Sequence, residues 1–117
     1  MLTATLETDG ETGATLIRFE GRAYALRSRG PATYRSAGEG VPWAGVERWR
    51  GIGWLPPSGC VPGRARFLTL DVTADGTVKA ATESDCDGRQ ADGALEMGCE
   101  ETTWLERMRA AWEGEAA

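Results

Sequence analysis

The chain contains 117 residues, carries a formal net charge of −5 and has no histidine. The missing histidine excludes Ser-His-Asp triads, Cys-His dyads and histidine-ligated haem or zinc centres, although carboxylate-only chemistry remains open. With 41% hydrophobic and 26% charged residues, the length predicts a single globular domain over residues 1–117. No cofactor is expected, because no phosphate-binding or dinucleotide-binding motif is present.

Three strands of an antiparallel sheet are predicted in the first third of the chain, over residues 2–8, 14–20 and 22–28. The first of them alternates Leu2, Ala4 and Leu6 with polar residues, which is typical of a half-buried strand. A turn rich in Asp and Gly follows it, and Gly21 separates the next two strands. The pattern favours a hairpin followed by a third strand in a meander.

The central segment, residues 29–63, carries eight of the 16 glycines and all five prolines. Since glycine and proline interrupt regular structure, the segment is predicted to be irregular, with one short helical turn over residues 44–50. Irregular segments of this length are uncommon inside a compact domain and are often functional. The segment is therefore the first place to look for a site.

A second hairpin is predicted after the central segment. Residues 64–73 form the clearest strand, and an Asp-Gly turn at residues 75–76 leads into a strand over residues 77–83. Residues 84–99 are interpreted as an acidic loop. A short strand is predicted within it, at Leu95 and Met97.

The C-terminus shows the strongest helical pattern. Thr103 and Glu106 fit a capping box, and Gly114 is expected to end the helix. Apolar residues follow at helical spacing, namely Trp104, Leu105, Met108, Ala111 and Trp112. The predicted fold class is α+β, with a small antiparallel sheet of about five strands in two hairpins, a long irregular central segment and a C-terminal amphipathic helix. An exposed Trp112 would also support a homodimer.

A cluster of aromatic residues and arginines in the central segment is the candidate partner-binding site. Its members are Tyr34, Arg35, Trp43, Arg48, Trp49, Arg50 and Trp54. Trp, Tyr and Arg are enriched at binding hot spots, and the same residue types stack on nucleic-acid bases and sugars. A third interpretation is that the tryptophans fill the core of the sheet and the arginines stay solvated.

The charge is divided unevenly along the chain. Residues 1–66 hold nine arginines against six carboxylates, a net +3, whereas residues 67–117 hold four cations against twelve carboxylates, a net −8. A dedicated nucleic-acid binder needs a strong basic surface, so nucleic acid is an unlikely partner for this chain.

The acidic stretch, residues 83–101, contains seven carboxylates and one arginine. Four of these carboxylates define a candidate acidic surface: Asp85, Asp87, Asp92 and Glu96. Such a stretch is either a solvated loop or a surface that attracts a basic partner. A calcium loop beginning at Glu83 is a weaker interpretation, because Ala94 stands where a bidentate Glu is needed. No metal site is predicted.

Three cysteines are present: Cys60, Cys86 and Cys99. Their odd number favours reduced thiols, although an oxidising compartment would allow a bridge between Cys86 and Cys99. The chain shows neither a signal-peptide pattern nor an apolar run long enough to span a membrane. A cytoplasmic location is expected.

The leading hypothesis is a non-enzymatic, acidic protein-binding module that inhibits or regulates a larger complex. Small acidic proteins without motifs are typical of the inhibitors that phages and mobile elements direct against host defence. One alternative is a binder of single-stranded nucleic acid or carbohydrate that uses residues 34–54. The other is a small enzyme that uses a pair of carboxylates.

Overall fold

The computed structural model describes residues 1–36, 39–56, 59–60, 63–85 and 97–116. These residues form six strands and one helix: β1 (Ala4–Thr8), β2 (Thr15–Phe19), β3 (Arg22–Ser36), β4 (Glu39–Leu55), β5 (Arg64–Thr73), β6 (Val78–Asp85) and α1 (Cys99–Ala116).

All six strands belong to one antiparallel sheet in which neighbours in the chain are neighbours in space, in the order β1-β2-β3-β4-β5-β6. The meander and the broad α+β class are confirmed, but the sheet has six strands rather than five. The extra strand comes from the central segment, which supplies the second half of β3 and all of β4.

The sheet curls into a half-barrel. Its first strand returns to the start of β6, where the Ala4 amide donates to the Gly76 carbonyl at 2.9 Å and the Val78 amide donates to the Leu2 carbonyl at 3.0 Å. The curl places one face of the sheet inside. Buried side chains fill this inner face: Ala4, Ile17, Phe19, Tyr24, Trp49, Leu68, Leu70 and Val72.

Helix α1 packs on the outer face. A second buried cluster joins the helix to β2, β3 and β4: Ala14, Leu16, Ala25, Ile52, Met97 and Trp104. Leu105 and Met108 pack against it, as the predicted apolar stripe requires, whereas Ala111 is exposed and the Trp112 side chain lies outside the described part. The homodimer hypothesis for Trp112 therefore stays a prediction.

The predicted start of the helix is wrong. The helix begins at Cys99, one turn before the expected capping box, and the Thr103 hydroxyl donates backwards to the Cys99 carbonyl at 2.9 Å. Two acidic residues occupy the first turn, where the helix dipole favours them. One of them, Glu101, also accepts from the Thr15 amide at 3.0 Å and so ties the helix to β2. At the other end the helix passes the expected stop at Gly114 and reaches Ala116.

The prediction of an irregular central segment is also wrong, because β4 is a continuous strand through residues 39–55. Gly51 and Gly53 interrupt no structure, since they lie where Tyr24 crosses the inner face. A Cβ atom on Gly53 would approach the Tyr24 ring to 2.7 Å, and one on Gly51 would approach the Ile17 side chain to 2.9 Å. The glycines are therefore needed by the packing of the core.

The helical turn expected over residues 44–50 is also wrong. Residues 43–46 form a β-bulge within β4, and residues 47–50 pair regularly with β3 and β5. Four residues of β4, at positions 43–46, stand opposite the single residue Ala32 of β3. Gly45 adopts a φ of 75° there, which suits glycine and would strain other residues. The bulge explains why glycine and proline concentrate in a segment that is nevertheless a strand.

Three smaller expectations can also be placed. Met97 is buried in a bend before α1 rather than in a short strand, and Leu95 lies outside the described residues. Cys60 and Cys99 are free, exposed thiols, and Cys86 lies outside the described residues. Within the described part of the chain, no helix has both the length and the apolar character that crossing a membrane requires.

Candidate functional site

The hairpin between β3 and β4 extends beyond the rest of the sheet, and we call this extension the arm. It consists of residues 33–36 paired with residues 39–42. Strand β5 begins to pair with β4 only at Val46, so no third strand of the described chain lies beside the arm. The arm lengthens the molecule, whose principal extents are 49, 31 and 29 Å.

The arm carries an aromatic pair. Tyr34 and Trp43 stand edge to face, with ring centroids 6.3 Å apart and ring planes at 84°, a favourable aromatic geometry. The bulge that follows Pro42 directs Trp43 towards Tyr34 instead of into the regular alternation of β4. Trp43 is half-buried, and Tyr34 is 49% exposed. The pair therefore offers aromatic surface to solvent at the end of a two-stranded hairpin.

A groove of about 660 Å³ lies at the base of the arm. Trp43 borders it on the arm, and Trp49 borders it on the core side, where that side chain is only 7% exposed. Pro31, Pro42 and Val46 add apolar surface, so the groove is an apolar depression with an aromatic rim.

Glu47 is the polar centre of the groove. Its Oε1 atom accepts from the Trp49 indole nitrogen at 3.0 Å and from Arg29 Nε at 2.8 Å. Both hydrogen bonds lower the pKa of Glu47, and the bond from Trp49 has the larger effect. The carboxylate stays ionised and holds Arg29 and Trp49 in fixed positions beside the groove.

Arg48 fixes the base of the arm from the other face of the sheet. Its Nε and Nη2 atoms bind the two oxygens of Asp71 at 2.8 and 3.2 Å, and Nη2 also donates to the Thr33 carbonyl at 2.7 Å. Asp71 is the one buried charged residue among the described side chains. Its hydrogen bonds raise the pKa of Arg48. One guanidinium thus connects β5 to the arm.

The structure divides the seven predicted binding residues. Trp43 and Trp49 line the groove and Tyr34 packs on Trp43, whereas Arg48 and exposed Arg50 border a smaller depression of about 290 Å³ beyond Pro31.

Two of the predicted residues do not join that group. Trp54 lies at the far end of β4, where Arg109 stands over its ring at 5.7 Å. Arg35 pairs with Gly40 in the arm, and its side chain lies outside the described part.

Arg29 and Glu47 belong to the groove but are absent from the sequence-based candidate site. Their omission follows from reading residues 29–63 as irregular. In a strand, Glu47 and Trp49 are two residues apart and share a face, so this spacing is the signal that identifies them.

Only one residue of the predicted acidic surface can be placed. Asp85 ends β6 and forms ion pairs with Arg64 at 2.8 Å and Arg66 at 3.3 Å. The pKa of Asp85 is lowered, and the hydrogen bond from Arg64 is the main cause. Asp87, Asp92 and Glu96 lie outside the described residues. Glu83, the first position of the calcium-loop interpretation, lies within β6 and accepts from the Tyr24 hydroxyl at 2.6 Å.

Comparison with protein-family models, with curated proteins and with solved structures finds no match to this chain. A functional proposal therefore depends on the chain's own geometry, in which the arm and its groove form the most exposed aromatic feature of the described residues.

Proposed function

We propose that the protein is a non-enzymatic protein-binding module that docks on a larger macromolecular complex through the arm. The observation that carries the proposal is the Tyr34–Trp43 pair, which is held edge to face on a projecting hairpin beside an apolar groove. Stiff aromatic side chains lose little conformational entropy on binding and keep a polar group for a hydrogen bond. A projecting hairpin can carry them into a cleft of the partner.

The charges around the groove favour a protein partner over nucleic acid. Arg29 is paired with Glu47, and Arg48 is paired with Asp71, so two arginines near the arm are already neutralised. A surface that follows a phosphate backbone needs several unpaired cations. The binder of single-stranded nucleic acid or carbohydrate remains the alternative outcome of the experiment.

The cellular role that we propose is inhibition or regulation of the complex, in the cytoplasm. Two free, exposed thiols at Cys60 and Cys99 are typical of a reducing compartment. The net charge of −5 on a small protein keeps it soluble until it meets its target. Occupying a surface of a defence complex is one role that a small phage or mobile-element protein of this kind can fill.

Site-specific photo-cross-linking in native host cells tests the proposal. A benzoylphenylalanine placed at Tyr34 should capture one protein, whereas the same group at Leu2 should not. Leu2 is a matched control, because it is 47% exposed, bonds to Val78 at the start of β6 and is not among the residues that line the groove. Capture of nucleic acid at Tyr34 would favour the alternative, and equal capture at both positions would contradict the proposal.

The captured protein then permits a quantitative measurement. Replacing Tyr34 and Trp43 by alanine should weaken its affinity at least about 30-fold in calorimetric titrations, the loss expected for hot-spot aromatics. Leu2→Ala should leave the affinity unchanged, and the circular dichroism of both variants should stay native. Trp49 is avoided because it belongs to the inner core, where truncation would unfold the protein.

A further inference from the structure

Strand β6 is the least covered strand of the described sheet. Val78 is half-buried, and the seven residues after it are exposed. Its inner edge pairs with β5, whereas its outer edge meets a partner only at its start, where Thr77 and Val78 meet Thr3 and Leu2. Beyond that point the outer backbone groups of β6 have no partner among the described residues. Unpaired edges of this kind accept additional strands.

The inner face of β6 is also open. Ala81 pairs with Leu70 and Glu83 pairs with Leu68, so both share the face of the buried core. Leu68 and Leu70 are at most 1% exposed, yet Ala81 is exposed. The core therefore continues to an uncovered margin at β6.

A cavity of about 440 Å³ occupies this margin, and we call it the slot. Ala81 and Glu83 of β6 form one wall, and the turn between β2 and β3 forms the other wall with Phe19, Glu20 and Arg22. The slot lies beyond the point where the chain's own N-terminal residues pair with β6.

We propose that the slot binds an extended peptide of a partner protein, which adds to the free edge of β6 as an extra strand. Such a strand would continue, along β6, the antiparallel pairing that Leu2 and Thr3 begin. Backbone hydrogen bonds would supply the affinity, and alternate side chains would enter the slot.

The side chains of the slot specify the peptide. Phe19 on one wall and Ala81 on the other give it apolar surface, which suits an aliphatic side chain. One cation and two carboxylates line the same space, those of Arg22, Glu20 and Glu83. Glu83 already accepts from the Tyr24 hydroxyl at 2.6 Å and lies 3.7 Å from Arg66, whereas no described side chain forms an ion pair with Glu20. The complementary peptide therefore places a lysine or arginine beside Glu20, flanked by aliphatic residues on the same inward side.

The slot is separate from the arm. Arg22 at the slot and Pro31 at the base of the arm are nine residues apart on β3, which corresponds to about 30 Å of extended strand. The slot can therefore bind a peptide whether or not the arm binds its partner.

The probe is a synthetic hexapeptide with blocked ends, Thr-Ile-Thr-Lys-Thr-Ile, added to the full chain at up to about 1 mM, since strand addition by short peptides is weak. Amide resonances of residues 80–85 should shift in NMR spectra, and alternate amides of β6 should exchange with solvent at least about tenfold more slowly. A peptide with Glu in place of Lys should bind more weakly.

A matched pair of variants locates the binding. Ala81→Trp fills the slot and should abolish the shifts, whereas Ala80→Trp adds the same bulk to the outer face of β6 and should retain them. Both positions are exposed, so both variants should fold. Peptide binding that survives Ala81→Trp, or no shift in the parent protein, would overturn the proposal. Variants of Tyr34 and Trp43 should bind the peptide normally, so the arm and the slot can fail independently.

Discussion

Glu20 is the only residue other than glycine that has a positive φ within the described ranges, at 53°. With Gly21 at 73°, it forms the two-residue connection between the paired residues Phe19 and Arg22. Both central φ angles of a type I′ turn are positive, and asparagine is preferred over glutamate at the first of them. The carboxylate side chain is therefore kept at a cost in conformational energy, beside the slot that it lines.

Replacing Glu20 by asparagine should raise the free energy of unfolding by about 0.5–1 kcal/mol, because asparagine tolerates the left-handed conformation. Denaturant unfolding monitored by circular dichroism measures the change. Glu20→Gln is the matched control, since it also removes the charge without relieving the backbone, and equal stability of the two variants would contradict the explanation. Glu20→Asn should at the same time weaken binding of the lysine-containing peptide, since stability and function often oppose each other at such positions.

The bulge in β4 and the Arg48 bridge set the direction of the arm. The bulge interrupts the pairing between β3 and β4 where the arm begins, and Arg48 donates to the Thr33 carbonyl at the same point. Because Asp71 is buried, the loss of Arg48 has two separable effects: an unpaired carboxylate in the sheet and a released arm.

Arg48→Met should lower the free energy of unfolding by about 2–4 kcal/mol, since it leaves the Asp71 carboxylate buried without its cation. The double variant Arg48→Met with Asp71→Leu should recover most of this stability. Amide exchange at Thr33 and Tyr34 should nevertheless stay faster than in the parent protein, because neither variant restores the bond to the Thr33 carbonyl. Parental exchange rates in the double variant would show that the bridge does not hold the arm.

The elements also show what the sequence could predict. Alternation in residues 2–8 and 64–73 was sufficient to place strands, because those side chains pack against one buried face. The glycines of residues 29–63 do not predict their strand, because they serve long-range packing: Gly53 makes room for Tyr24, which is 29 positions earlier in the chain. Pro31 and Pro42 likewise flank a bulge, where the ladder is already interrupted.

The sequence predicts only part of the candidate site, because the bulge that assembles the site leaves no pattern in the sequence. Tyr34 and Trp43 could be selected by residue type, but their meeting depends on the three extra residues that the bulge inserts. Residue type alone could not separate Trp43, on the arm, from Trp49, in the core. The amino-acid composition could not indicate the slot, because its two walls, residues 19–22 and 81–83, are distant in the chain.

Two connections among the described residues hold the curl of the six-stranded sheet. Backbone hydrogen bonds from Ala4 to Gly76 and from Val78 to Leu2 close one end. The bond from the Tyr24 hydroxyl to Glu83 joins β3 to β6 across the interior. The pKa of Tyr24 is raised to about 12, mainly because the phenol is buried and secondly because it donates this hydrogen bond.

This pKa predicts how stability responds to alkali. The neutral phenol is favoured in the folded state, so its contribution is complete below the unfolded-state pKa of about 10 and is lost as the pH rises through about 12. Urea unfolding between pH 8 and 11.5 should therefore show a declining free energy of unfolding above pH 10. Tyr24→Phe should be less stable than the parent at pH 8 and should decline less steeply, and identical slopes would contradict the assignment.

The sequential order of the strands has a consequence for the way the chain acquires its structure. Each strand from β2 to β6 pairs with the one made just before it, so the sheet can lengthen strand by strand as the chain is synthesised. Two events must wait for distant segments: the return of residues 2–4 to Gly76 and the docking of α1 on β2. The pairing of residues 2–4 with the start of β6 and the covering of the outer face are therefore the late steps of folding, and the outer edge of β6 beyond Val78 ends without a partner among the described residues.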